Sequence, residues 1–441
     1  MLLYFSCKNF KSFRDGFEFR MVAEKKMKDL TYSLITKQIG GKKEEVLSSS
    51  VIYGPNAAGK SSVINAMSCM RQIILRGNIK DAEDDKAGDR VSNRMNLIPF
   101  IFQEKVVPTC FDITFEYNSI KYQYVLSFVI GQFFKRNSER YIKEEKLYVN
   151  DRLIYDRTKD EVSKLDLGSI QEYMNQGYTL DESEKIRKIM SDNMDSGSLL
   201  LMTDFNSFCS KKIVSMILKW FQDKFIIINS AENTKFLPVI IEDGQVLINE
   251  YMNNLAKEAG IVGSGFAYLK DRDQQNPKVM SILTMNGETF GLDAEAIESV
   301  GTLRMIYIMP AIIVALKRGA TLAVDELDAS LHPVIAMNLI SIFHNDRINT
   351  KGAQLIFNTQ NPVYMDHDIL RRDEIKYVER DKKTKTSSLY ALSDFRANGE
   401  ISVRSTSDYM KNYLNNRYGA IEDIDFSDII NEILKGANDD A

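Results

Sequence analysis

The stretch Gly54-Pro55-Asn56-Ala57-Ala58-Gly59-Lys60-Ser61-Ser62 spaces two glycines, a lysine and a hydroxyl in the order G-x-x-x-x-G-K-[ST]. Glycines at the ends of such a loop let the backbone curl until successive N–H groups surround phosphate oxygens, and the helix that follows adds the partial positive charge of its N-terminus. In that pattern Lys60 reaches the β- and γ-phosphates, and the Ser61 hydroxyl ligands Mg²⁺. A plain glycine turn ahead of an amphipathic helix needs neither side chain at those places.

A second constellation lies far downstream. The apolar run Thr321 to Val324 ends in Asp325-Glu326, two acids at the C-terminal end of a strand, where ligands bind in open α/β sheets. An acidic pair after an apolar run is common by itself. Beside a complete phosphate loop it reads as a Walker B pair, with Asp325 holding Mg²⁺ directly or through water and Glu326 polarising an attacking water as general base. Upstream, Glu298-Ser299-Val300-Gly301-Thr302 opens an apolar helix running from Leu303 to Leu316. A hydroxyl and exposed N–H groups at a helix start suit a γ-phosphate; the plainer reading is that Ser299 caps the helix. Downstream, Gln354-Leu-Ile-Phe-Asn-Thr-Gln is a buried strand ending in polar residues, where Thr359 and, better, Gln360 could sense the γ-phosphate.

These groups need a frame. Val51-Ile52-Tyr53 leads into the loop as a strand, and Ser62 to Met70 leaves it as a helix. The loop lies some fifty residues into the chain, after two strands predicted within residues 1 to 20 with Asn9 to Asp15 at their turn, so an antiparallel sheet is expected to precede the nucleotide-binding strand. Residues 80 to 94 read as a charged, solvated linker. Period-two segments from Phe111 to Tyr155 predict a β-meander, residues 169 to 223 turn helical, 225 to 248 return to strand-like character, Tyr251 to Ala259 reads as a helix, and Asn286-Gly287 marks a hairpin. The fold class expected is α/β, divided at 1–168 (first half with meander), 169–279 (mainly helical insertion), 280–395 (second half) and 396–441 (tail).

Composition narrows the function classes. A net charge of −4 argues against a protein whose whole surface coats nucleic acid, though a local basic patch stays open. The run from Arg371-Arg372 to Lys385 is interrupted by acids and reads as a solvated hairpin. Four scattered cysteines and three unclustered histidines predict neither disulfides nor a transition-metal site, and a reduced, cytoplasmic protein is the natural expectation. No signal peptide is expected at the N-terminus, and the longest apolar stretch, Met305 to Leu316, is shorter than the roughly 20 residues that span a bilayer, so no membrane partner is expected.

Several of these segments together resemble a known family. Asn9-Phe-Lys-Ser-Phe, Tyr53-Gly-Pro-Asn-Ala-Ala-Gly-Lys-Ser, Glu298-Ser-Val-Gly-Thr, Val324-Asp-Glu-Leu-Asp-Ala-Ser-Leu-His-Pro, Arg371-Arg-Asp-Glu-Ile, Ser393-Asp-Phe and Arg417-Tyr-Gly-Ala-Ile are similar to RloA/AbiL-type ATP-binding proteins. These belong to the ABC-type ATPase branch that includes RecF and the SMC proteins. The resemblance implies an ABC-type P-loop ATPase head with an antiparallel β subdomain and a helical insertion, binding ATP and Mg²⁺. It puts Ser299, Gly301 and Thr302 in the signature position, contacting the ATP held by a second copy, so that a homodimer or higher homo-oligomer closes over its nucleotides. It also puts Asp328 in the dimer-contacting D-loop and makes Gln103 the candidate Q-loop metal ligand. Where relatives commonly carry histidine, Gln360 stands, which implies slow turnover because an amide donates a hydrogen bond but carries no charge. The expected role is a regulator of a separate effector, a nuclease or toxin, in anti-phage abortive infection. The alternatives are a RecF/SMC-like DNA-repair or maintenance ATPase acting directly on DNA, and a non-catalytic ATP-bound scaffold.

Overall fold

The computed structural model describes residues 1–441 apart from 26, 28–29, 81–96, 104, 132–139, 178, 230–245, 249, 259, 261–264, 271–277, 398–399, 423–424 and 437–441. Most of the linker expected at 80–94 therefore lies outside the described residues. In chain order, the first half holds β1 (Leu2–Lys8), β2 (Phe17–Arg20), β3 (Leu34–Ile39), β4 (Lys42–Leu47), β5 (Ser49–Tyr53), α1 (Lys60–Arg76), β6 (Thr109–Tyr117), β7 (Ile120–Val129), β8 (Tyr141–Val149), β9 (Arg152–Thr158) and β10 (Val162–Leu165). Then come α2 (Ser183–Asp192), α3 (Lys211–Lys219), β11 (Phe225–Ile228), β12 (Val246–Ile248), α4 (Glu250–Glu258), β13 (Gly265–Leu269), β14 (Lys278–Met285), β15 (Glu288–Asp293) and α5 (Ala294–Ile297). The second half continues with α6 (Val300–Arg318), β16 (Thr321–Val324), α7 (Pro333–His344), β17 (Gln354–Asn358), β18 (Ile375–Arg380), β19 (Ser387–Ala391), α8 (Tyr409–Leu414) and α9 (Ser427–Gly436).

Two sheets carry the site. A seven-stranded antiparallel sheet has the order β10-β9-β8-β7-β6-β1-β2, so the expected meander is joined to the chain's first two strands. A six-stranded sheet has the order β11-β16-β17-β5-β18-β19, parallel from β11 to β18 and antiparallel at β19. Strands β5, β16 and β17 are buried at every residue, which is what continuous apolar runs in a sheet covered on both faces produce. Side-chain alternation then divides the interior. Ile52, Ala323, Ile356 and Val378 pack with α1 and the antiparallel sheet, whereas Val51, Tyr53, Leu322, Val324, Leu355, Phe357 and Tyr377 pack with α6 and α7.

The structure redraws three expected features. Phe225–Ile228, read as strand-like but placed in an insertion spanning 169–279, is an edge strand of the parallel sheet, in register with Thr321–Val324. The segment between α2 and α3 is likewise tied to the antiparallel sheet, because fully buried Glu145 of β8 accepts hydrogen bonds from the Leu200 and Leu201 N–H groups at 2.8 and 2.9 Å. Arg371 to Lys376 is not a solvated hairpin: Arg371 is 1% exposed and grips Asp373 through Nε at 2.9 Å and Nη2 at 3.0 Å. The exposed part of this run is Glu379 and the turn at Asp381 to Lys385. The expected tail likewise enters the interior, with Tyr413 stacked on Tyr377 at 5.6 Å and lying 6.2 Å from Tyr53, between ring centroids.

The apolar stretch Met305 to Leu316 sits within a longer helix, the 19 residues of α6, apolar and long enough to cross a membrane on composition alone. Its Met305 to Ile312 side chains are buried in the core on one face of the sheet, which accounts for the composition.

Candidate nucleotide-binding site

The glycine loop takes its shape from backbone that side chains resist. Gly54 has φ 149°, and a Cβ there would sit 2.2 Å from the Val378 carbonyl oxygen, so the loop can leave β5 at this angle only with glycine. Ala57 and Gly59 also have positive φ, at 59° and 115°, and α1 begins at Lys60. Lys60 is 6% exposed and donates to the Gly54 carbonyl at 2.6 Å and the Pro55 carbonyl at 3.0 Å. Burial lowers its pKa, opposed by the nearby Glu326 and Asp325 carboxylates.

The C-terminal ends of β5, β16 and β17 lie side by side, with β17 between the other two. That topology brings together groups remote in sequence. Burial raises the pKa of the Asp325 carboxylate, while the nearby Asn358, Ser61, Lys11 and Lys60 favour its charge. A cleft of about 390 Å³ is lined by Pro55 to Ala57, Gly59 to Ser62, Glu326 and Gln360, within the size range of small-molecule pockets. A larger cleft of about 1040 Å³, between β2 and β19, holds none of these residues.

Of the two sensor candidates only Gln360 lines the cleft; the Thr359 hydroxyl donates to Asp328 at 2.7 Å. Asp328 also accepts from the Tyr364 hydroxyl at 3.1 Å, which ties the loop after β16 to the segment after β17. Ser299, Gly301 and Thr302 are not part of the cleft within one chain. Ser299 caps α6, accepting from the Thr302 N–H at 3.1 Å. Gln103 does not fit the metal-ligand expectation: it lies outside the cleft lining, and its amide donates to Asn9 Oδ1 at 2.6 Å.

Several contributing residues carried no role in the sequence reading. Asn358, the last residue of β17, donates to Asp325 Oδ1 through Nδ2 and accepts from the Glu326 N–H through Oδ1 at 2.6 Å. Glu326 is exposed with φ 53°, a left-handed conformation for a side chain of this size. Arg304 of α6, 4% exposed, donates through Nη2 to the carbonyls of Asp325 and Glu326 at 3.2 and 2.6 Å.

The Asn9-Phe10-Lys11-Ser12-Phe13 turn also meets the site. Phe10 and Phe13 are buried, Asn9 Oδ1 accepts from the Phe100 N–H at 3.2 Å, and Lys11 and Ser12 line the cleft opposite Ile98, Ile101 and Phe102. Arg380 closes another side, donating to the Ala57 carbonyl at 3.4 Å. The signal that could have found Lys11 was its place in a turn between two apolar residues, which commits the neighbours to the core and leaves the lysine to point elsewhere.

The donor set suits a hard divalent cation. Mg²⁺ is bound through oxygen, commonly by one or two carboxylates together with substrate phosphates, and Ser61 and Asp325 supply a hydroxyl and a carboxylate near each other. Lys11, Lys60 and Arg380 supply positive charge around the same cleft, and α1 directs its N-terminus into it.

A family profile described as "AAA domain, putative AbiEii toxin, Type IV TA system" matches residues 49–193 and 231–366. Among solved structures, the SMC head domain from Thermotoga maritima is similar at 14% identity and a TM-score of 0.35, with 89% of this chain and 98% of that chain covered. An SMC head bound to the C-terminal winged-helix domain of ScpA is similar at 13% identity and a TM-score of 0.37, covering 89% and 97% respectively. No curated protein matches the chain.

Proposed function

The chain belongs to the AAA-domain family described as putative AbiEii toxin, Type IV TA system, and from that premise we propose an ATPase that binds Mg·ATP in the Gly54–Gln360 cleft, dimerises over its nucleotides and controls a separate effector. The observation that carries this reading is the single cleft lined both by Gly59 to Ser62 of the phosphate loop and by Glu326 of the acidic pair, which brings the two motifs to one site. Gly54 to Ser62 wraps the phosphates with backbone N–H groups, and Lys60 leaves the loop carbonyls for the β- and γ-phosphate oxygens. Ser61 and Asp325 hold Mg²⁺, which when bound neutralises charge on the phosphate oxygens. Glu326 accepts a proton from the attacking water, and the Gln360 amide donates toward the γ-phosphate.

In the proposed dimer, Ser299, Gly301 and Thr302 of one copy contact the nucleotide of the other, and Asp328 lies near the junction. Gln360, lacking the charge a histidine can carry, makes turnover slow and the ATP-bound dimer long-lived, as suits a signal passed to a nuclease or toxin in anti-phage defence.

The test measures ATP binding, hydrolysis and mass in solution. Lys60→Ala is expected to lose nucleotide binding. Glu326→Gln is expected to bind ATP, hydrolyse it at least tenfold more slowly and double in mass. Equal hydrolysis by Glu326→Gln and wild type would refute the assigned base, and unchanged mass with ATP would refute the dimer. Co-expression with the product of the adjacent gene, and its toxicity with and without Lys60→Ala, tests the effector relation.

A further inference from the structure

Both polar groups of the Glu326 backbone are held from outside its own loop, although the carbonyl also accepts from the Ala329 N–H within it at 3.1 Å. Asn358 accepts from its N–H at 2.6 Å, and Arg304 donates to its carbonyl at 2.6 Å and to that of Asp325 at 3.2 Å. Held in this way, the residue stays at φ 53°, a conformation that persists only where the surroundings impose it. Arg304 accomplishes this at a cost. It is 4% exposed, yet Nε and Nη1 have no hydrogen-bond partner among the described residues. A buried guanidinium with two of its three nitrogens unused is a poor means of stabilising a fold, and an apolar side chain of similar volume is often the more stable choice.

Arg304 also stands about one turn and a half into α6, whose first turn carries Ser299, Gly301 and Thr302. That first turn meets the same loop a second time: a Cβ on Gly301 would lie 2.6 Å from the Ser330 carbonyl oxygen. The start of α6 and the segment from Asp325 to Ser330 are therefore joined at two points, one a steric contact and one a pair of charge-assisted hydrogen bonds.

We infer that Arg304 is a positioning residue: it transmits the placement of the first turn of α6 to the Glu326 backbone and keeps that carboxylate facing the cleft. The inference rests on the reading of Glu326 as the general base and deepens it by naming what regulates that base. A second copy engaging Ser299 to Thr302 shifts α6, and the guanidinium carries the shift to Glu326. With Arg304 replaced by an apolar side chain, Glu326 relaxes toward the right-handed region and its carboxylate leaves the position from which it reaches the attacking water.

The experiment uses the full chain and four variants, Arg304→Met, Arg304→Lys, Glu326→Gln and the Arg304→Met/Glu326→Gln double variant. It measures Mg·ATP affinity, the single-turnover rate constant and the melting temperature. Arg304→Met is expected to melt no lower than wild type, to bind Mg·ATP within about threefold, and to hydrolyse about 100-fold more slowly, the loss that goes with misplacing a reacting group by about 1 Å. Arg304→Lys, which keeps a cationic donor but places it differently from Nη2, is expected about tenfold below wild type. The double variant is expected to be no slower than Glu326→Gln alone, because residues acting as a unit are not additive.

If Glu326→Gln is slow but Arg304→Met turns over at the wild-type rate, the Arg304 inference fails while the base stands. An equal loss from Arg304→Met in both backgrounds also overturns it. If Glu326→Gln matches wild type, the base assignment falls and this inference with it. Should Arg304→Met not fold, Arg304→Lys decides, and a rate within twofold of wild type overturns the inference.

Discussion

Asn358→Ala separates the site's tertiary design from its sequence motifs, because Asn358 belongs to neither the phosphate loop nor the acidic pair. The substitution removes two hydrogen bonds at once, one to the Asp325 carboxylate and one from the Glu326 N–H. Asp325 is 8% exposed and Asn358 is fully buried, so water does not replace them freely. A hydrogen bond to a charged group contributes about 1.5–3 kcal/mol, and a buried amide left unpaired costs about 1–3 kcal/mol. Ser61, Lys11 and Lys60 still favour the Asp325 charge, which trims the sum, and we expect a loss of about 3 kcal/mol. With a urea m-value of about 3 kcal/mol/M or more for a chain of 441 residues, that moves the unfolding midpoint by up to about 1 M. Freeing one side of the Glu326 peptide is expected to slow ATP turnover by about 100-fold. Asn358→Asp provides the control: it keeps an acceptor for the Glu326 N–H but sets a carboxylate against Asp325, so it is expected to weaken Mg²⁺ dependence more than Asn358→Ala does. Unfolding and turnover by Asn358→Ala both within twofold of wild type would refute the bridging role.

Three further outcomes are expected. Glu145→Ala strands Arg157, 1% exposed and 3.1 Å from the lost carboxylate, and should cost about 3–5 kcal/mol in a urea melt; a loss under about 1 kcal/mol would contradict the network. Lys376, with its pKa pushed down by burial to about 8 from 10.5, binds its proton less tightly folded than unfolded. The penalty is thus fully present below pH 8 and fades as pH rises toward 10.5, so relative to wild type Lys376→Met gains up to about 3 kcal/mol at pH 7 and progressively less at pH 9 and above, whereas a pH-independent difference in denaturant melts would refute it. Gln360→His is expected to raise the single-turnover hydrolysis rate, and an unchanged or lower rate would remove Gln360 from the γ-phosphate.

The legible part of this protein was local. Gly54, Gly59, Lys60 and Ser61 announce themselves because phosphate binding needs those types at that spacing within one turn of chain. Strands β5, β16 and β17 were readable because each is a short apolar run ending in polar residues, and α6 because Ser299 and Gly319 cap its two ends. The β-meander followed from period-two alternation. Burial that depends on partners was not readable. Arg371 to Lys376 looks like surface charge in sequence and is interior in structure, since Asp373 neutralises Arg371 two residues away. Phe225–Ile228 reads as strand-like in sequence, but not as an edge of the parallel sheet, since its partner β16 lies almost a hundred positions later.

The chemistry of the phosphate loop and the acidic pair was therefore determined by sequence alone, because backbone curl and side-chain type are properties of a few consecutive residues. What tertiary structure decided is their mutual placement: β17 between β5 and β16, Asn358 bridging Asp325 to Glu326, and Arg304 reaching across from α6. Those contacts join residues about 20 to over 260 positions apart, and hydrogen bonds a few ångströms long leave no periodic trace in a linear sequence.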